Sequence, residues 1–156
     1  MQETQHTQES KARVLWGNAS VDGALHQGWF IGHVLEHAHD LRSTQTVEVK
    51  WSRHKAGEEQ PQWTMTQQAV TLCVLIKGIV FIRFPWTECI LAHEGDYVIW
   101  SADLPHRLIV AEDALILTIR WPSIPEDKKE PVQSGGTDQE ELESRCKRHI
   151  FEGSVE

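Results

Sequence analysis

Residues 70–121 consist of short apolar runs that end at turn-forming residues, and this pattern limits the folds open to the chain. The runs are rich in valine, isoleucine and aromatic residues and are interrupted at Gly78, Pro85, Gly95 and Pro105. No run is long enough, or periodic enough at 3.6 residues, to favour a helix. Such runs predict consecutive antiparallel strands, and therefore an all-β sandwich or barrel.

The length of 156 residues suits one domain with tails at both ends. Residues 1–12 are polar and lack an apolar face, so we expect a disordered N-terminal tail. Residues 13–124 contain the predicted strands and form the expected β-barrel domain. Residues 125–156 are charged and rich in Gly and Pro, which predicts an acidic linker and tail. Within that tail, residues 138–151 have the charge order of a short helix.

The formal net charge is −8 and the sequence has no basic patch, so nucleic acid and anionic membranes are poor partners. The first residues lack the apolar core of a signal peptide, and the longest apolar run, residues 69–76, is too short to span a bilayer. The cysteines Cys73, Cys89 and Cys146 have no CxxC spacing, which suits a reducing compartment. We therefore expect a cytoplasmic protein that binds neither nucleic acid nor membrane.

Two of the predicted strands alternate between two faces. Residues 46–53 place Val47, Val49, Trp51 and Arg53 on one face and Thr46, Glu48, Lys50 and Ser52 on the other. This alternation predicts a half-exposed strand. Residues 114–121 carry apolar side chains on both faces. One face is expected to bury in the barrel, and the other against a second sheet or another subunit.

Three histidines lie close together near residue 35. His37 and His39 form an HxH pair, and His33 precedes them. In a strand, such a pair projects from one face and can hold a metal ion. The turn-like residues 40–44 follow directly, so we interpret these histidines as solvated or hydrogen-bonded, with metal ligation as the alternative.

A glycine and a histidine at a specific spacing suggest a family. Gly95 precedes a predicted strand. His106 lies eleven residues after Gly95 and directly after Pro105. This spacing, with its strand-loop-strand context, resembles the second motif of the cupin family. Ser101 and Asp103 stand where that motif has a proline and a glycine. The resemblance covers roughly residues 47–121 and implies a cupin-type double-stranded β-helix, a small jelly-roll barrel.

The first cupin motif is only partly present. Gly57 and Gly78 align with its two ends, and Trp63 and Met65 then stand at its HxH positions. Of the three histidines and one carboxylate that hold the metal in the family, only His106 remains. A catalytic metal centre needs about three protein ligands, so we expect no cofactor and no metal. The alternative is a site that recruits ligands from His54, Glu58, Glu59 and His33.

A metal-free barrel of this type implies an apolar cavity with a few polar groups, the usual form of a small-ligand pocket. The predicted ligand-binding residues are His54, Glu58, Trp63, Met65, His106 and Arg120. Trp63 and Met65 would point inward and floor the pocket, or simply fill the core. His106 would form a hydrogen bond, and Arg120 would bind a carboxylate or phosphate or form a surface ion pair. His54 and Glu58 would be an acid–base pair or part of a turn.

These residues leave three functions open, in order of preference. The first is a small-molecule binding protein without a tightly bound catalytic metal. The second is an enzyme that uses a noncanonical metal site, or acid–base chemistry through His106 and His54. The third is a structural module that dimerises through tryptophan-rich faces, as expected if Trp63, Met65 and Trp100 filled the cavity. Cupins commonly dimerise, so a homodimer is expected.

Overall fold

A computed structural model describes residues 13–130. Short helical segments span Ala19–Asp22 (α1) and Ala24–His26, the second a 3-10 turn. The strands are β1 (Trp29–Ile31), β2 (Glu48–His54), β3 (Met65–Thr66), β4 (Val70–Phe84), β5 (Thr87–Leu91), β6 (Tyr97–Trp100), β7 (Arg107–Trp121) and β8 (Lys128–Lys129). The all-β prediction is confirmed. No helix within residues 13–130 is long and apolar enough to cross a lipid bilayer.

The two long strands, β4 and β7, form the spine of the fold. They pair antiparallel from Val70 opposite Trp121 to Arg83 opposite Arg107. The larger sheet has the order β1-β2-β7-β4-β5, with β6 also paired to β4. The second sheet contains only β3 and β8.

An irregularity near Gly78 bends the spine. The β4–β7 register shifts between Leu75 and Val80, and Gly78 has φ 94°. A Cβ atom at Gly78 would lie 2.7 Å from the Cα of Ala114, so only glycine fits here. The sequence suggested separate strands before and after Gly78, whereas the structure has one bent strand that contributes to both walls of the barrel.

The packed core lies around this bend. Its best-buried members are Leu75, Val80, Ile82, Val110 and Ile116, each at most 2% exposed. They come from both halves of β4 and β7, because inward-facing residues alternate along each strand. The core fills one part of the barrel and leaves the remainder open as a cavity.

The segment after residue 124 is part of the barrel, which corrects the predicted boundary. Asp127 is buried, and its carboxylate accepts hydrogen bonds from the backbone amides of Gln67, Gln68 and Ala69 at 3.0–3.2 Å. The adjacent Lys128 and Lys129 pair with β3. Composition alone suggested a linker, but one buried carboxylate fixes this segment to the fold. The predicted N-terminal tail and the predicted helix at 138–151 lie outside the described residues.

Candidate functional site

A cavity of about 460 Å³ opens inside the barrel, a size typical of small-molecule pockets. Its walls come from β2, β4, β6 and β7, from residues 58–64 and from β8. His54, Glu58, His106 and Arg120 line it, so the structure brings together four of the side chains that the sequence singled out. Polar residues that sequence reasoning did not assign to the site also line it, among them Lys50, Thr71, Trp100 and Lys128.

One end of the cavity is basic. Lys50, Arg120 and Lys128 all contribute to its lining. The Lys50 ammonium and the Arg120 guanidinium lie 5.6 and 4.8 Å from the centre of the Trp29 ring, within the range of cation–π contacts. Burial, and then the charges of Arg120 and Lys128, lower the pKa of Lys50. Burial is also the main cause that lowers the pKa values of Arg120 and Lys128.

A network beside the cavity holds Arg120 in place. Arg120 Nη1 donates to Glu48 Oε1 at 3.3 Å, and Ser123 Oγ donates to Glu48 Oε2 at 3.2 Å. His33 Nδ1 lies 2.7 Å from Ser123 Oγ and 3.2 Å from Glu48 Oε2. Glu48 itself is only 6% exposed. The alternative of Arg120 as part of a surface ion pair is therefore wrong, because its partner is buried and its side chain faces the cavity.

Three side chains that line the cavity carry a buried polar atom without a partner. Thr71 Oγ1, Trp100 Nε1 and Arg120 Nε have no hydrogen-bond partner among residues 13–130. These three residues are neighbours across the sheet, since Thr71 pairs with Trp100 on β6 and with Arg120 on β7. Buried polar atoms are nearly always hydrogen-bonded in folded proteins. A row of three unpaired atoms is therefore unusual and marks this end of the cavity.

The other end of the cavity contains His54 and Glu58. His54 Nδ1 lies 3.0 Å from Glu58 Oε2, and His54 Nε2 lies 3.1 Å from Ser52 Oγ. The Lys55 backbone amide also donates to Glu58 at 2.9 Å. That amide, and then His54, hold the pKa of Glu58 below its ordinary value. The pair thus forms part of the 55–58 turn as well as of the cavity lining.

His106 is a buried, neutral histidine. Burial lowers its pKa to about 4. Its Nδ1 lies 3.1 Å from the carbonyl oxygen of Leu104, so Nδ1 carries the proton and Nε2 remains an acceptor. Its ring packs 4.7 Å from Trp100 and 6.5 Å from Phe84, centre to centre. The loop before it turns at Asp103, whose φ of 59° is tolerated by aspartate where the cupin motif has glycine.

The predicted inward orientation of Trp63 and Met65 is wrong. Thr64 lines the cavity instead, and its backbone pairs with His106. Trp63 packs outside, where the Arg107 guanidinium lies 5.7 Å from its ring centre. Successive side chains of an extended segment point to opposite sides, so a register error of one residue exchanges the two faces. The aromatic plug that a purely structural barrel would need is therefore not provided by these residues.

The residues at the cupin metal position do not fit a metal centre. Within residues 13–130 no group of three or more His, Cys, Asp or Glu side chains is placed to hold a metal ion. His106 packs against the rings of Trp100 and Phe84, and the first motif contributes Thr64 rather than a histidine. Of the alternative ligands, His33 lies within hydrogen-bond distance of Ser123 and Glu48. His37 and His39 are exposed, as their interpretation as solvated residues predicted.

Comparisons with known proteins agree on the fold. An uncharacterised protein with a double-stranded β-helix domain from Klebsiella pneumoniae is 14% identical, with a TM-score of 0.50, over 58% of this chain and 78% of its own. Salicylate 1,2-dioxygenase from Pseudoaminobacter salicylatoxidans is 17% identical, with a TM-score of 0.50, over 60% of this chain and 27% of its own. A cupin-2 domain protein from Shewanella frigidimarina is 16% identical, with a TM-score of 0.43, over 49% and 71%.

The first two likenesses show the fold, and they confirm the double-stranded β-helix that the cupin resemblance predicted. No protein-family model matches the sequence, and no curated protein matches it significantly.

Proposed function

We propose that this protein binds a small molecule inside its barrel, without a tightly bound catalytic metal. The observation that carries the proposal is the cavity of about 460 Å³, three of whose lining residues carry a buried polar atom without a partner in residues 13–130. A side chain that only filled the core would have its polar atoms paired or removed. A ligand that supplies the missing partners would account for both the open space and the unpaired atoms.

A thermal-shift screen tests this proposal. A ligand that binds only the native state raises the melting temperature. In Thr118→Phe, a larger side chain enters the cavity beside Lys50. We expect this variant to fold and to lose the shift, whereas Thr87→Phe, at an exposed position of β5, should retain it. Ligands that stabilise Thr118→Phe as strongly as the wild type would contradict a cavity site.

Elemental analysis tests the metal-free part of the proposal. We expect protein purified without chelators or affinity tag to contain far less than one equivalent of Fe, Mn, Ni or Zn. One metal per chain, lost in His106→Ala, would overturn this part and direct attention to His54, Glu58 and Glu59. Acid–base catalysis through His106 has less support, because a general base works best with a pKa near the operating pH and this one lies at about 4.

We also propose that the protein forms a homodimer through the outer face of the large sheet. Tyr97 and Ile99 of β6 and Trp121 of β7 are exposed on this face, at 65%, 51% and 37%. Exposed apolar patches commonly mark protein contacts.

We also propose a cytoplasmic location, which the free thiols of Cys73 and Cys89 support. The lack of nucleic-acid and membrane partners, expected from the sequence, is part of the same proposal.

A further inference from the structure

The unpaired atoms of the cavity share one chemistry. Arg120 Nε and Trp100 Nε1 are N–H groups, which donate and never accept, and the Thr71 hydroxyl donates or accepts. The three residues are direct neighbours across β6, β4 and β7, and all three line the cavity. Only a group rich in acceptor atoms satisfies all three donors together.

The charges around this patch indicate the charge of that group. Lys50, Arg120 and Lys128 are cations that line the cavity. The buried carboxylates that act on Arg120 are Glu48 and Asp127. Within residues 13–130, Arg120 is the one cation of these three that pairs with a buried carboxylate, Glu48. Lys128 and Glu130, which acts on it, are both exposed, so solvent screens both of their charges.

The carboxylate oxygens of Glu48 and Asp127 already accept hydrogen bonds from other groups of the protein. Glu48 accepts from Arg120 and Ser123, and Asp127 accepts from three backbone amides. Neither Lys50 nor Lys128 forms an ion pair with any of residues 13–130. The two lysines are thus available to a negatively charged ligand.

Apolar side chains also line the cavity. They are Ile82, Leu108, Val110 and Ile116, and Ile116 lies opposite Ser52 of β2, between Lys50 and His54. Lys50 and His54 are four residues apart on β2, or about 13 Å at the usual rise of a strand. A ligand with one acidic end and an apolar body of a few carbon–carbon bonds matches this distance and this lining.

We propose that the ligand is a small organic monocarboxylate. Its carboxylate accepts hydrogen bonds from Arg120, Thr71 and Trp100 and pairs with Lys50 and Lys128, and its body lies along the apolar wall. Two carboxylate oxygens offer about four acceptor sites, enough for the three hydrogen bonds. This inference rests on the proposed binding function and adds the chemical class of the ligand.

Calorimetric titration with two matched probes tests the inference. 3-Phenylpropionate and its uncharged amide, 3-phenylpropanamide, have the same apolar body and differ in the acidic group. We expect the acid to bind at least about tenfold more tightly than the amide, because hydrogen bonds to charged groups are the stronger ones. Phenyl phosphate serves as a third probe, and tighter binding of this dianion than of the acid would overturn the assignment of a monocarboxylate.

Neighbouring lysines on β8 provide a matched pair of variants. Lys128 lines the cavity, whereas the adjacent Lys129 does not. Lys128→Met should weaken binding of the acid about tenfold and leave binding of the amide unchanged, and Lys129→Met should change neither. Arg120→Lys keeps the charge but removes the Nε donor, so this variant should also bind the acid more weakly. Equal effects of the two β8 variants would overturn the inference.

The outcomes separate this inference from the proposed function. If neutral compounds bind and Thr118→Phe abolishes their binding, while the acid has no advantage over the amide, the carboxylate assignment fails and the binding function stands. If neither the probes nor a panel of neutral compounds of similar size binds at millimolar concentration, both are overturned.

Discussion

Two adjacent rows of residues across the large sheet have opposite character. The row on the inner face contains Glu48, Arg120, Thr71 and Trp100, in register across β2, β7, β4 and β6. The next row, on the outside, contains Val49, Ile119, Leu72 and Ile99 in the same register. In most antiparallel sheets the apolar face is turned to the core and the polar face to solvent.

These two rows reverse that usual arrangement, and each contains groups that lack a suitable partner in the part of the chain that the structure describes. The inner row holds polar atoms that nothing in residues 13–130 satisfies, and the outer row includes Ile99 at 51% exposure. Both arrangements are unfavourable for an isolated chain, the first because of unpaired donors and the second because of exposed apolar surface. A ligand in the cavity would supply partners for the polar atoms of the inner row, and a second copy of the protein would cover the apolar outer row.

The largest expected effect comes from breaking the inner row at Glu48. Glu48→Ala leaves the Arg120 guanidinium buried without its carboxylate, and removal of one partner of a buried pair costs about 3–5 kcal/mol. The unfolding free energy, from denaturant titration, should fall by that amount. Glu48→Gln combined with Arg120→Met removes both charges and should recover much of the loss. A loss below about 1 kcal/mol in Glu48→Ala would show that the inner pair does not matter for folding.

A second effect concerns pH and His106. The pKa of His106 is about 4 in the folded protein against an ordinary value of 6.5. The contribution of neutral His106 to the unfolding free energy is therefore complete above about pH 6.5 and is lost as the pH falls towards 4. Between pH 7.5 and 4.5 this loss amounts to about 2–3 kcal/mol. In His106→Gln the unfolding free energy should depend less on pH by that amount, whereas the exposed His39→Gln should behave like the wild type. Identical pH profiles for all three proteins would contradict a buried, neutral His106.

The smallest of the three effects tests the outer row. A lysine at position 99 would place a charge within the apolar face, so Ile99→Lys should weaken the proposed homodimer at least about tenfold. Sedimentation equilibrium measures the change. Ile90→Lys is the control, because Ile90 is 59% exposed but lies on β5, which pairs with β4 at residues 80–84, whereas β6 pairs with it at residues 71–74. A wild-type protein that is monomeric at all concentrations would contradict the proposed role of the outer face.

The strands could be predicted from sequence because their signal is local. Alternation and turn residues predicted the strands of residues 46–53 and 70–121, and the Gly95–His106 spacing placed His106 at the cavity. His54 and Glu58 were found because they adjoin Gly57, the glycine that aligns with the start of the first cupin motif. Arg120 was found because it lies on the more polar face of the last predicted strand.

The remaining features depend on orientation, which alternation alone does not fix. Trp63 and Met65 were placed inside through a register error of one residue. Lys50 lies on the polar face of β2, which was expected to meet solvent and instead lines the cavity. Lys128 lies in a charged segment that resembles a linker by composition, and only the buried Asp127 beside it reveals that the segment is packed. One face of β2 is polar, and its neighbour β7 carries apolar side chains on both faces. This combination in the sequence could have indicated the cavity.

The most direct test of the account is the NMR signal of the Trp100 indole N–H. Each of the seven tryptophans gives one such signal, and Trp100→Phe assigns the one from position 100. We predict that, without ligand, this proton resonates at the position of an indole that forms no hydrogen bond. On addition of 3-phenylpropionate it should move downfield, because Nε1 gains an acceptor. A Trp100 signal that stays in place while 3-phenylpropionate binds, or that is already hydrogen-bonded in the free protein, would contradict the claim that the inner face is completed by a ligand.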